Sequence, residues 1–175
     1  MFGEEIASLA MQSYQLRKTF RGVFGRDSFM ALGPDMTGSF IVNRSNRGKR
    51  GVHWLAVHVA EREEVEETGR GGFVRRKRRS AVFFDSLGRD GPWKYDIAIP
   101  MITGTERLVY NCKRIQSDDS KDCGLYCLYV LHWLVTGVDL KSIMSVFDNN
   151  DHERVKNDEI VKEFGKCLKR GLFAH

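Results

Sequence analysis

Only four cysteines occur in the 175 residues, Cys112, Cys123, Cys127 and Cys167. They are too few and too scattered for the disulfide framework of a secreted scaffold, so each is read as thiol chemistry. Cys123 and Cys127 have the i, i+4 spacing of a metal-ligand pair, but no second pair of Cys or His stands at a matching distance, and no metal is expected. Long apolar runs are missing as well. The longest, Leu125 to Val135, is interrupted by His132 and falls well short of the roughly 20 residues of a membrane span. The opening Met1-Phe2-Gly3-Glu4-Glu5 has no basic region leading into an apolar one, so no secretory signal is expected. No repeat, linker or low-complexity tract divides the chain, and the expectation is one domain over residues 1–175, cytoplasmic or nuclear.

What is present reads as alternating elements. Glu4 and Glu5 ahead of Ile6, Leu9 and Ala10 predict a short helix at the start. Gly22, Gly25, Gly33-Pro34 and Gly38 punctuate a loop-rich stretch before a strand over Ser39 to Val42. Two β-branched and aromatic runs, Val52 to Val59 and Phe73 to Phe84, flank Thr68-Gly69-Arg70-Gly71-Gly72 and predict a hairpin. Further strands are expected over Tyr95 to Pro100 and Leu108 to Ile115, the second after a Thr103-Gly104 turn. The run from Cys123 to Leu134 is apolar nearly all round, which predicts a buried central helix with Ser120 or Asp119 as its cap. Asp139 is the expected cap of a short helix through Phe147. Asn149 or Asn150 is the expected cap of a longer one carrying Val161, Phe164 and Leu168.

The hairpin can be registered from its charges. A turn centred near residue 70 pairs positions whose numbers sum to about 140. Glu64 then faces Arg76, Glu63 faces Lys77 and Glu61 faces Arg79, with Arg62 opposite Arg78 as the one like-charge pair. The basic run Arg75, Arg76, Lys77, Arg78 and Arg79 therefore reads first as an exposed ribbon neutralised by its acidic partner, and second as a nucleic-acid patch or a nuclear signal. Arg44, Arg47, Lys49 and Arg50 have no such offset and are the stronger candidates for DNA contact in a chain of net charge +5. At the base of the ribbon the same register sets Val57 against Phe83 and brings His53 close to Asp85.

That adjacency carries the chemistry. A nucleophilic cysteine acts as its thiolate, which a helix N-terminus and a nearby histidine favour, and Cys123 opens the central helix. The amides of that first turn can also donate to an oxyanion. Cys127, one turn deeper in apolar surroundings, is expected to be inert. His53 begins a strand just before Trp54, whose ring offers an aromatic wall. Asp85 ends the partner strand, where a carboxylate can accept the imidazole N–H and stabilise its cation. Gln116, seven residues before Cys123, can bring its amide to the same point as a second oxyanion donor.

Gly51-Val52-His53-Trp54-Leu55-Ala56, Phe84-Asp85-Ser86-Leu87-Gly88 and Gln116 through Asp122-Cys123-Gly124-Leu125-Tyr126-Cys127 resemble the adenain-like cysteine proteases. These are the adenovirus maturation enzymes, whose clan includes the ubiquitin-like-modifier proteases. The resemblance covers roughly residues 1–140. The step from Gln116 to Cys123 is similar to adenain, whereas Asp85 and the Asp122-Cys123-Gly124 triplet are similar to the modifier proteases. It implies an α+β domain with a central mixed sheet flanked by helices, and no cofactor for the chemistry. It also implies His53 as general base, Asp85 as orienting acid, Gln116 as oxyanion donor, Cys123 as nucleophile and Trp54 beside the substrate. The activity implied is endopeptidase cleavage of viral precursor proteins at Gly-containing sites, with modifier deconjugation as the alternative. Viral DNA and a capsid-derived activating peptide are the further partners implied. A monomer without membrane association, in the virion and the host nucleus or cytoplasm, completes the expectation.

Overall fold

The computed structural model describes residues 1–33, 36–46, 53–69, 71–88, 91 and 105–174. The elements run α1 (Gly3–Gln12), α2 (Tyr14–Thr19), β1 (Phe20–Gly25), α3 (Arg26–Met30), β2 (Gly38–Asn43), β3 (Trp54–Thr68), β4 (Gly72–Phe84) and β5 (Arg107–Tyr110). After them come α4 (Cys123–Val135), α5 (Leu140–Met144) and α6 (Arg154–Lys169). The strands form one sheet in the order β1-β2-β3-β4-β5. Its outer pairs, β1 with β2 and β4 with β5, are parallel and its inner pairs antiparallel, so the sheet is mixed and the fold α+β.

Period-two alternation assigns each strand residue to one of two cores. Ile41, Trp54, Ala56 and Phe84 face α1, α4 and α6, which supply Ile6, Leu9, Tyr126, Leu128 and Val161. Phe40, Val42, Leu55, Val57, Val59 and Phe83 point the other way, where Phe29 of α3 closes the face. Helix α4 can be apolar all round because it lies among the sheet, α1 and α6, and every residue from Cys123 to His132 is buried. The fit is close at Gly124, where an added Cβ would stand 2.9 Å from Ile6 Cδ1.

The ribbon adopts the expected register along its whole length, with Ala56 opposite Phe84, Glu64 opposite Arg76 and Thr68 opposite Gly72. Its side chains pair differently from its backbone. Arg76 reaches Glu66 at 3.2 Å, Lys77 reaches Glu61 at 3.0 Å and Arg78 reaches Glu64 at 2.9 Å, all diagonal neighbours. Long side chains on a twisted ribbon meet diagonal partners as readily as those directly opposite. The like-charge pair is relieved in the same way, since Arg62 turns to Glu64 at 3.0 Å and Arg78 also takes Glu106 at 2.6 Å.

Several sequence expectations are corrected. The loop-rich stretch around Gly22 and Gly25 holds β1 and α3, preceded by α2. Gly22 sits at φ 133° beside an irregularity in the β1–β2 pairing, so the glycine signal marks a bulge within a strand. The last sheet strand stops at Tyr110, and α5 stops at Met144 rather than Phe147. Helices α4 and α6 are preceded by Asp122 and Glu153, not by the expected polar residues, and neither receives a side-chain cap. Ser120 is diverted instead to the backbone N–H of Asp122, at 3.2 Å. Asp139 does cap its helix, accepting from Ser142 N at 2.9 Å. The strand expected over Tyr95 to Pro100 lies outside the described residues.

Candidate active site

His53 stands one residue before β3 and Asp85 one residue after β4, so the antiparallel register delivers both to the same end of the sheet. His53 Nε2 and Asp85 Oδ1 are 2.6 Å apart, with both side chains buried. The same carboxylate oxygen accepts the Leu87 N–H at 2.8 Å. Cys123, at the start of α4, is the second group whose interaction raises the His53 pKa. Burial alone would lower the His53 pKa. The hydrogen bond to Asp85, the negative charge of that carboxylate and the interaction with Cys123 outweigh it and raise the pKa to about 9.

This coupling has a sign that can be tested through stability. The folded pKa of about 9 lies above the ordinary 6.5, so folding favours the protonated imidazole. The resulting stabilisation is complete below pH 6.5 and is lost as pH rises through 9. Replacing Asp85 by Asn removes most of it. The gap in Tm between parent and Asp85→Asn is therefore expected to be widest near pH 6 and to narrow by pH 9.5, in differential scanning calorimetry of both proteins. A gap constant across that range contradicts a charged His53–Asp85 pair.

Asp85 is itself held by a residue that the sequence reading missed. The side chain of Asn111, buried just beyond β5, accepts the Asp85 N–H at 2.9 Å and donates to the Asp85 carbonyl at 2.7 Å. Only its position after a strand would have pointed to it. The turn that follows closes with Gly88 N donating to Asp85 O at 2.8 Å. Gly88 sits at φ 60°, and an added Cβ would fall 2.2 Å from the backbone of Lys113 and Arg114, a gap that no side chain can enter.

That close approach packs the turn against the segment carrying Gln116. The Gln116 side chain is buried, with Oε1 accepting from Ser86 Oγ at 2.6 Å and Nε2 donating to the Ser120 carbonyl at 2.8 Å. Its neighbours are anchored from α6. Asn157 donates to the Ile115 carbonyl at 2.9 Å, and the buried Asp158 carboxylate accepts from Ser117 Oγ at 2.5 Å and Tyr126 Oη at 2.8 Å. The Gln116 loop is thereby tied to both α4 and α6.

Cys127, fully buried, has its thiol pKa pushed well up, by burial first and then by its electrostatic interactions with Cys123 and Asp85. All four cysteines are free thiols, and no cluster of metal-ligating side chains exists among the described residues. No described helix is long and apolar enough to cross a membrane. Trp54 is buried, with its indole N–H donating to the Met1 carbonyl at 3.3 Å. It forms one wall of a groove of about 620 Å³ shared with Phe2, Val23, Phe24 and Asn43.

The basic candidates separate into two groups. Arg75, Arg76, Lys77, Arg78 and Arg79 each reach a carboxylate of Glu61, Glu63, Glu64, Glu66 or Glu106, so a phosphate would compete with these pairs. Arg44 lies next to the site, its backbone N–H donating to the His53 carbonyl at 3.0 Å. Arg47, Lys49 and Arg50 lie outside the described residues.

Together these groups provide a thiol at a helix N-terminus, an imidazole oriented by a buried carboxylate, and an amide bonded to the residue after that carboxylate and to the segment leading into the helix. Such a set can attack a carbonyl carbon, stabilise an oxyanion and protonate a leaving group. No protein-family model matches the chain, and no curated protein matches it. Among solved structures, the crystal structure of the ASFV pS273R protease superposes with a TM-score of 0.52 at 15% identity, over 87% of this chain and 63% of that one. This chain thus spans less than two thirds of that protease. A selenomethionine crystal of the same protease overlaps less, with a TM-score of 0.38 at 19% identity, over 66% of this chain and 41% of that one. The likeness at 0.52 establishes a shared fold, that of a viral protease.

Proposed function

We propose that this chain is a cysteine endopeptidase acting on viral or virus-like precursor proteins. The observation that carries the reading is the buried His53, hydrogen-bonded to the buried Asp85 at 2.6 Å and electrostatically coupled to Cys123 at the start of α4. The Cys123 sulfur attacks the peptide carbonyl, while the Cys123 backbone N–H and the Gln116 amide receive the oxyanion. His53, cationic at neutral pH, gives its proton to the leaving amine and then draws one from the water that cleaves the thioester. The fold shared with a protease supports peptide-bond cleavage, and the precursor substrates rest on the resemblance of the sequence motifs.

The resemblance of the His53-Trp54 and Cys123 segments to the adenain-like proteases is what supports a further part of the reading, a preference for glycine before the scissile bond. Digestion of a peptide library, read by mass spectrometry, is expected to give Gly-Gly or Gly-Xaa ahead of the cut. Bulky residues at those positions contradict it.

Asp85 and the Asp122-Cys123-Gly124 triplet favour a second reading, removal of a ubiquitin-like modifier. A modifier carrying a C-terminal fluorogenic amide separates the two: rapid turnover supports deconjugation, and slow or absent turnover supports precursor cleavage.

A further inference from the structure

The Ser86 hydroxyl takes no direct part in the chemistry above, yet it is fully buried and directed at Gln116, Oγ donating to Oε1 at 2.6 Å. The Ser86 carbonyl also accepts the N–H groups of Ile115 and Gln116, at 3.0 and 3.1 Å. One residue therefore grips Gln116 by backbone and side chain together. That residue directly follows Asp85, which orients His53.

An amide serves an oxyanion only through its NH2 edge. Turned over about its last torsion, it would present a carbonyl oxygen to the developing negative charge, and shape hardly distinguishes the two orientations. Hydrogen bonds do. The Ser120 carbonyl can only accept, and it takes one N–H of Gln116 Nε2 at 2.8 Å. The Ser86 hydroxyl fills the acceptor at the opposite end. Gln116 Nε2 retains a second N–H that makes no hydrogen bond among the described residues, and donation into Oε1 polarises the amide so that this N–H is a stronger donor.

We propose that Ser86 is the positioning residue of the oxyanion site, setting which edge of Gln116 meets the reacting carbonyl. The proposal rests on the reading of this site as an acyl-transfer centre. Ser86 acts only through Gln116, and the Asp85-Ser86 dipeptide fixes the acid–base half of the site relative to the oxyanion half.

A double-mutant cycle with a quenched Gly-Gly peptide as substrate tests this. Ser86→Ala is expected to lower kcat roughly ten- to a hundredfold with KM within about threefold, part of what losing an oxyanion donor costs. In a Gln116→Ala background the same change is expected to alter kcat by less than about twofold. Alkylation of Cys123 by iodoacetamide forms no oxyanion, so Ser86→Ala is expected to keep the parent's alkylation rate and pH profile. Equal losses of kcat in both backgrounds, or a parallel loss of alkylation, overturn the proposal, since Ser86 would then support the fold or the Cys123–His53 pair. An unchanged kcat in Ser86→Ala while Gln116→Ala is crippled overturns it too, leaving the acyl-transfer reading in place. A fully active Gln116→Ala instead removes Gln116 from the oxyanion site, and the Ser86 proposal falls with that reading.

Discussion

Replacing Cys123 by alanine is expected to lower peptide turnover at least about ten-thousandfold, the scale seen when a catalytic nucleophile is removed. The fold should survive, because the change deletes one buried sulfur at the first residue of α4, a helix that shares its core with Ile6 and Leu9 of α1, Ala56 of β3 and Val161 of α6. Circular dichroism and Tm of the variant check that premise. Cys127→Ala is the matched control, one turn further along the same helix, where burial holds the thiol neutral. It is expected to lose stability through a small cavity and to keep turnover within about threefold of the parent. If Cys123→Ala retained more than a trace of activity against the same peptide, Cys123 would be a core thiol and the nucleophile would lie elsewhere.

The second large effect is expected from Asp85→Asn. The amide keeps an oxygen where His53 and the Leu87 N–H meet the carboxylate, and Asn111 still holds the backbone, so geometry changes little. The charge that favours imidazolium is lost. In a serine triad such a change costs about ten-thousandfold, and a thiol–imidazole pair tolerates it better. A loss of roughly ten- to a thousandfold in kcat is therefore expected, about 1.4 to 4 kcal/mol at about 1.36 kcal/mol per decade. The pH dependence should move in the same experiment. With His53 held at about 9 in the parent, kcat/KM is expected to fall as pH rises through that value, because the free enzyme loses the proton it donates. In Asp85→Asn the alkaline limb should shift toward lower pH. A variant as active as the parent, with an unmoved limb, would remove Asp85 from the mechanism.

The ribbon explains why so much of this site was legible in the sequence. Alternating Glu and Arg or Lys on two strands of matched length admits one register, and that register carries His53 and Asp85 to a common end without any knowledge of the rest. Cys123 was legible because an apolar run can end only where its helix begins. The segment 14–30 was not, since α2 and α3 are 6 and 5 residues long and β1 carries glycines that elsewhere end a strand. Tertiary packing overrides propensity over such short lengths. Asn111, Ser86 and Asp158 were hidden for a different reason. Each is a buried polar residue whose meaning lies in a partner 26 to 41 positions away, as in the pairs Asp85–Asn111, Ser86–Gln116 and Ser117–Asp158. Such bonds leave no local periodicity. Gly88 was seen only as the end of a motif, and its need for glycine came from the backbone of residues 113 and 114 lying against it.

The central claim is that Cys123 is the thiol made reactive by His53. The most direct measurement is peptide mapping by mass spectrometry after brief reaction with a Gly-Gly vinyl sulfone, on the parent and on His53→Ala. The account predicts one adduct per chain, on Cys123, formed faster than any on the exposed Cys112 and nearly abolished in His53→Ala. Labelling led by Cys112 or Cys167, or Cys123 labelling that proceeds equally fast without His53, would contradict it.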